Sequence, residues 1–206
     1  MFSFLRPYIF NLDPEVAHDL AIKSLKFNFI PESIFKVEGE EILNTELFGK
    51  KIKNPIGLAA GFDKSAEVYN SLYKIGYGFV EVGTITPKRQ LGNPKPRIFR
   101  LEKDEAMINR LGFNNDGLEV VTKRISEETP KGILGINIGP NKDTINKIDD
   151  FIECLGRVHS LASYITINIS SPNTRGLRDF EEKNSMNNLL ESVNNLKKNK
   201  QINKRI

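Results

Sequence analysis

The chain has 206 residues, with 30 Lys and Arg against 26 Asp and Glu, which leaves it at +4. That length suits a single domain, and 39% hydrophobic with 27% charged residues excludes a disordered chain and an ordinary membrane-embedded one. A single cysteine, Cys154, and two histidines exclude a disulfide framework and a Cys- or His-rich metal centre.

In chain order, Phe2, Leu5, Tyr8, Ile9 and Leu12 repeat at helical spacing, with Pro7 as an expected interruption. The segment is greasy but has no basic start and no small-residue cleavage site, so a secretory signal is not expected. Asp13-Pro14-Glu15 then reads as a helix start: an acceptor at the N-cap, a proline whose missing N–H costs nothing there, and an acid at the positive end. The second helix places Val16, Ala17, Leu20, Ala21 and Leu25 on one face, and Asn28 to Pro31 are expected to end it. Such a pair either docks on the main domain or lies on a membrane surface. The aromatics Phe2, Phe4, Tyr8 and Phe10 are too many for one face, which favours the second. No apolar run approaches the ~20 residues that span a bilayer.

From Thr45 the period changes. Glu46 to Ile52 reads as a hairpin turning at Gly49 and Lys50. Four short apolar runs follow, over 55–60, 79–83, 133–138 and 164–169, with helical stretches over 65–74, 118–128, 148–162 and 186–198. Runs this apolar suit strands of a parallel sheet, and the alternation gives βα units of a barrel or a doubly wound sheet. A closed barrel takes ~250 residues, about 31 per unit. The chain after Lys53 holds four or five such units, which predicts a smaller open sheet or part of a longer protein.

No Gly-x-Gly-x-x-Gly and no Walker loop occurs. Polar residues instead follow each strand, where α/β proteins build their sites. They are Ala59-Ala60-Gly61-Phe62-Asp63-Lys64, Glu81-Val82-Gly83-Thr84, Asn137, and Asn168 with Ser170-Ser171-Pro172-Asn173. Asn109-Arg110-Leu111-Gly112-Phe113-Asn114-Asn115 sits between the second and third strands. Singly, each could be an ordinary turn or helix start. Together, Lys64, Thr84, Asn137, Asn168, Ser171 and Asn173 converge on one rim. Neutral amides with one lysine suit a planar heterocycle rich in carbonyls and N–H groups and do not suit a metal.

Gly57-Leu58-Ala59-Ala60-Gly61-Phe62-Asp63-Lys64, Glu81-Val82-Gly83-Thr84-Ile85-Thr86-Pro87, Asn109 to Asn114 and Asn168 to Thr174 resemble the dihydroorotate dehydrogenase family. The whole chain fits that family in order, starting from the Asp13-Pro14-Glu15 and Ala17-His18 segment. In its soluble class the residue after Asn-x-Ser is a cysteine base. Here that position is Ser171, and Cys154 lies in a predicted helix well before it. A serine base with an N-terminal helical extension is similar to the membrane-associated, quinone-reducing class.

The resemblance implies a β/α barrel of the eight-stranded kind, of which residues 45–206 would form about the first half. Residues 1–44 would form a membrane and quinone-tunnel extension. It implies FMN as cofactor, with Ala60, Gly61, Phe62, Asp63, Lys64, Thr84, Asn137 and Asn168 against it. Dihydroorotate would be oxidised to orotate in pyrimidine biosynthesis. Lys64, Asn109, Arg110, Leu111, Gly112, Phe113, Asn168 and Asn173 would hold the substrate, and Ser171 would be the base. A quinone would enter near His18 and Arg100, and the chain would be a peripheral membrane protein, on the cytoplasmic face of the inner membrane if bacterial.

The chain departs from the family where the second half of the barrel, and with it the phosphate-binding loops after strands seven and eight, is expected. A truncated or split product that alone binds FMN weakly or not at all is the resulting expectation. Another FMN barrel oxidoreductase is one rival reading. A non-catalytic basic interaction module is the other, since a pI near 9 also suits phosphates, acidic lipid headgroups and nucleic acid. The basic end from Lys197 to Arg205 reads as a solvated helix end rather than a nucleic-acid patch.

Overall fold

A computed structural model describes residues 2–27, 41–203 and 206, with side chains from Arg6 onward. Two helices open the chain, α1 (Phe2–Phe10) and α2 (Pro14–Lys26). Pro7 lies inside α1 and does not interrupt it, contrary to expectation. The loss of its N–H removes one bond from a helix whose far end is closed by Arg100. The Arg100 guanidinium donates to the Phe10 and Leu12 carbonyls at 3.1 and 2.8 Å and lies 4.6 Å from the Phe10 ring. A cation at a helix C-terminus also meets the negative end of the dipole.

The start of α2 follows its sequence signature. Asp13 Oδ1 accepts from the Glu15 and Val16 N–H groups at 2.9 and 3.2 Å, with Pro14 next to it. The apolar stripe of α2 is split between core and solvent. Ile22 is buried and Leu25 packs against the core, whereas Val16 and Leu20 are exposed. The helix docks through charge rather than through that stripe: Arg97, 6% exposed, forks onto the Glu15 carboxylate at 2.7 and 2.8 Å, and Lys95 reaches the same group at 3.2 Å. These hydrogen bonds with Arg97 outweigh the cost of burial and hold the Glu15 pKa down to about 2. Phe27 caps α2; the expected terminator 28–31 and the side chains of Phe2, Phe4 and Leu5 lie outside the described residues.

The predicted hairpin forms from β1 (Thr45–Leu47) and β2 (Lys50–Ile52), paired antiparallel with Leu47 opposite Lys50. Its two turn residues are therefore Phe48 and Gly49, one position earlier than expected. Both take positive φ, +55° and +76°, the requirement of a two-residue hairpin turn.

Four parallel strands follow in the order β3 (Gly57–Leu58), β4 (Phe79–Ile85), β7 (Ile133–Ile138), β8 (Tyr164–Ile167). The first and last are shorter than the runs that predicted them. Between them lie α3 (Tyr69–Lys74), α4 (Leu118–Glu127) and α5 (Lys147–Val158), and α6 (Lys183–Asn199) follows. The 65–74 run begins its helix four residues late, because Asp63 first folds the chain into a capped turn. An antiparallel hairpin, β5 (Ile98–Leu101) and β6 (Ala106–Asn109), interrupts the βα alternation and was not anticipated.

The two faces of the sheet differ. Val80, Val82, Leu134, Ile136 and Ile165 point toward the helices and join Tyr69, Leu72, Val121, Ile125, Phe151, Leu155 and Val193 in one buried core. Each such side chain stabilises by about 1.5–3 kcal/mol when fully buried. The opposite face carries Phe79, Glu81, Asn137, Tyr164 and Thr166. There, Gly57 and Gly135 are required, since a Cβ on either would stand 2.2 Å from the ring of Phe79 or Tyr164. Among the described residues β3 and β8 are the two edges, so the sheet is an unclosed part of an α/β barrel.

Candidate functional site

The C-terminal ends of the four parallel strands form one rim. Thr84 reaches it through an irregularity. Strict alternation would turn Thr84 to the helix side with Val82, but the pairing with β7 slips between Val82 and Ile85, and Gly83 takes φ +114°. Thr84 consequently faces Asn137 and donates from Oγ1 to Asn137 Oδ1 at 2.7 Å. Asn168 Nδ2 lies 3.2 Å from Thr84 Oγ1 and 3.3 Å from Asn137 Oδ1. Its own Oδ1 accepts from the Ser170 N–H at 3.2 Å. Three neutral side chains from three strands thus hold one another in fixed orientations.

The loop after β3 brings Lys64 to the same end. Gly61 N–H donates to Gly83 O at 2.9 Å, and Gly83 N–H donates back to Asp63 O at 3.0 Å, so the loop is stitched to β4. Asp63 is 1% exposed and its carboxylate accepts from the Glu67 and Val68 N–H groups, both at 2.8 Å. Its side chain is therefore occupied in shaping the loop. Burial raises its pKa, opposed by those backbone donors. Burial lowers the pKa of Lys64, whose ammonium has no hydrogen bond or ion pair to a described residue. His18 on α2 meets this loop, its Nε2 2.7 Å from Phe62 O and its ring edge-on to Phe62 at 5.3 Å. Arg100, by contrast, is engaged with the end of α1.

The 109–115 segment is only partly gathered in. Phe113 reaches the rim: a Cβ on Gly139 would lie 2.7 Å from Thr84 Cγ2 and 3.0 Å from Phe113 Cε2. Asn109 is exposed on β6, and Arg110 donates to Pro96 O at 2.9 Å. Gly112 takes φ +74° and its carbonyl receives Gln90 Nε2; the Leu111 carbonyl receives Asn93 N–H. Ser171 lies in the loop after β8, half-buried, with its Oγ accepting from Asn173 N–H at 3.3 Å. No hydrogen bond among the described residues joins Ser171 to Lys64, Asn137 or Asn168. Cys154 is fully buried on α5, and burial pushes its thiol far above the usual range, which disqualifies it as a base.

The sequence shows Glu81 only as part of a strand-end motif, with no role of its own, and Thr166 and Tyr164 go unnoticed in it. Their signal was present: polar side chains at alternate positions of otherwise apolar strands. Among the described residues no group of His, Cys, Asp or Glu could hold a metal ion.

The donor set fits the ring of a flavin. Gly61 leaves open space where a Cβ would stand, and the neutral amides and hydroxyl beside it match a heterocycle with carbonyl and N–H edges.

A family model described as dihydroorotate dehydrogenase matches residues 42–204. Dihydroorotate dehydrogenase (quinone) of Bartonella tribocorum is 50% identical over 193 residues, which cover 94% of this chain and 53% of that protein. The namesake from Idiomarina loihiensis is 46% identical over 196 residues, covering 94% and 59%. A crystal structure of DHODH from Eimeria tenella in complex with ferulenol superposes with a TM-score of 0.82 at 44% identity, over 91% of this chain and 52% of that one. The chain spans about half the length of the curated relatives it matches. Those relatives belong to a family of flavoenzymes, and by this match over most of its length the chain belongs to the dihydroorotate dehydrogenase family.

Proposed function

We propose that this chain carries the substrate-facing and flavin-ring-facing half of a quinone-linked dihydroorotate dehydrogenase. The observation that carries the reading is the match to relatives named for that activity along nearly the whole chain. The chemistry that FMN would supply when bound is acceptance of two electrons from dihydroorotate and their delivery to a quinone.

The chain's own residues take the remaining roles. Thr84, Asn137 and Asn168, with the backbone of 60–63, orient the ring. Lys64 offers an unpaired, partly desolvated cation that offsets the substrate carboxylate and charge developing at its carbonyl. Asn168 and Asn173 hold the carboxylate and ring amides, with Asn109 and the 110–113 segment closing over the substrate. Ser171 would take the C5 proton at Oγ as its own hydroxyl proton passes to solvent water. An alcohol is a weak base, and the Asn173 N–H aimed at Oγ stabilises charge developing on that oxygen.

In this reading 1–44 is the membrane-facing extension and 45–206 the first half of the barrel. Among the described residues no helix is long and apolar enough to cross a membrane. The exposed Tyr8, Leu12, Val16 and Leu20 support peripheral contact with a bilayer, on the cytoplasmic face of the inner membrane in a bacterium, with quinone entering beside His18. Because the chain spans about half the length of those relatives and its four-stranded parallel sheet is unclosed among the described residues, the 206-residue chain alone binds FMN weakly and needs further βα units for activity.

The test is the visible spectrum of the purified chain, alone and mixed with the C-terminal portion of a relative, before and after anaerobic dihydroorotate. A flavin band that dihydroorotate bleaches in either sample supports the reading. No flavin uptake in both samples overturns it.

A further inference from the structure

One layer deeper than the rim lies a second polar cluster that the reading above leaves unused. The Glu81 carboxylate on β4 accepts from Asn137 Nδ2 on β7 at 2.8 Å and from Thr166 Oγ1 on β8 at 3.0 Å. Tyr164 lies beside the same group, and burial, with the Glu81 charge second, raises its phenol pKa. An ionised carboxylate accepts only, and both hydrogen-bonded partners can donate.

The two ends of the Asn137 amide are nearly identical in shape and opposite in chemistry. With the amide turned over, Oδ1 would stand against the Glu81 carboxylate, acceptor on acceptor, and the NH₂ would stand against Asn168 Nδ2. Glu81 therefore draws the NH₂ end inward and leaves Oδ1 facing the rim. There Oδ1 receives the Thr84 hydroxyl and Asn168 Nδ2, and that commitment turns Asn168 Oδ1 to the Ser170 N–H.

We propose that Glu81 is a positioning residue: it sets the orientation of Asn137, and through it the hydrogen-bonding polarity that Thr84 and Asn168 present to the cofactor. The link to the cofactor rests on the flavin reading above; the orientation itself does not.

The test uses the full 206-residue chain, ¹⁵N-labelled, with the Asn137 and Asn168 side-chain amide signals identified. Wild type shows one Asn137 amide proton shifted downfield and slowed in exchange by the carboxylate. Glu81→Leu removes that signature and shifts the Asn168 pair. Glu81→Gln keeps it, because Gln Oε1 still accepts, and Tyr164→Phe keeps it because Asn137 is not touched. Glu81→Asp, which withdraws the carboxylate by one methylene, replaces the leucine variant if the latter fails to fold. Unchanged Asn137 and Asn168 signals in Glu81→Leu or Glu81→Asp overturn the proposal, whatever the flavin does.

A titration with FMN, read by quenching of flavin fluorescence, then tests the link. Affinity falls about tenfold or more in Glu81→Leu and less than about threefold in Glu81→Gln, the size of one lost charged hydrogen bond. Amide signals that move without a change in FMN affinity overturn the link to the cofactor. A wild-type chain that takes up no FMN, alone or complemented, overturns the flavin reading and that link together. The amide signals still decide the orientation.

Discussion

The rim of Thr84, Asn137 and Asn168 and the docked helices α1 and α2 are both secured by polar side chains, but the ties differ in kind. At the rim, neutral amides and a hydroxyl satisfy one another across three strands whose other face is fully buried. At the helices, the Glu15 carboxylate faces Arg97 and Lys95, and Arg100 holds the end of α1. Hydrogen bonds among neutral side chains, backed here by one carboxylate a layer deeper, are little weakened by salt. The helices are held by charge pairs instead, so their attachment answers to pH and, where the partners are exposed as Lys95 is, to salt.

The contrast can be broken at several points. The largest effect is expected beneath the rim. Phe151→Ala opens a cavity in the core beside Phe180 and destabilises the whole chain by about 3–5 kcal/mol, read by urea unfolding. Arg97→Ala leaves Glu15 without its fork and destabilises the docking of α2 by about 2–4 kcal/mol. Hydrogen exchange should show that loss in α2 while β4 and β7 keep their protection; equal loss in both would erase the distinction drawn here.

Acid acts on the same contact. The Glu15 pKa is depressed in the folded chain, so its stabilisation is complete above the ordinary value of 4.5 and is lost as pH falls toward about 2. Over that window α2 protection should fall by about 2–3 kcal/mol in wild type and stay flat in Glu15→Gln. The Asp13→Ala change removes the N-cap and costs about 1 kcal/mol, seen as fraying of the first turn of α2. Smallest for stability is the pair Val16→Ser and Leu20→Ser, within about 0.5 kcal/mol because both are exposed. The same pair should abolish co-sedimentation with lipid vesicles, and retained binding would remove the membrane role of this face.

Local chemistry made parts of this structure legible in advance. The Asp13-Pro14-Glu15 start of α2 needs only three adjacent residues. The apolar run 133–138 reappears as β7 because a strand buried on both faces has no other reading. The hairpin 98–109 escaped because its residues are half-exposed and its alternation is weak. For α2 the apolar stripe does not say which residues dock: Val16 and Leu20 stay exposed, and docking follows the Glu15 and Arg97 pair, 82 positions apart in sequence.

The sequence by itself determined the βα alternation, the cap of α2 and the gathering of polar residues at strand ends. All of these depend on neighbours within a few positions or on the two-residue period of a strand. Only the tertiary structure decided that Thr84 turns toward Asn137, that Asp63 is spent on its own loop, and that Glu81 orients an amide one strand away. Those outcomes depend on the register between strands and on a slip at Gly83, and register is set by how the whole sheet packs against its helices.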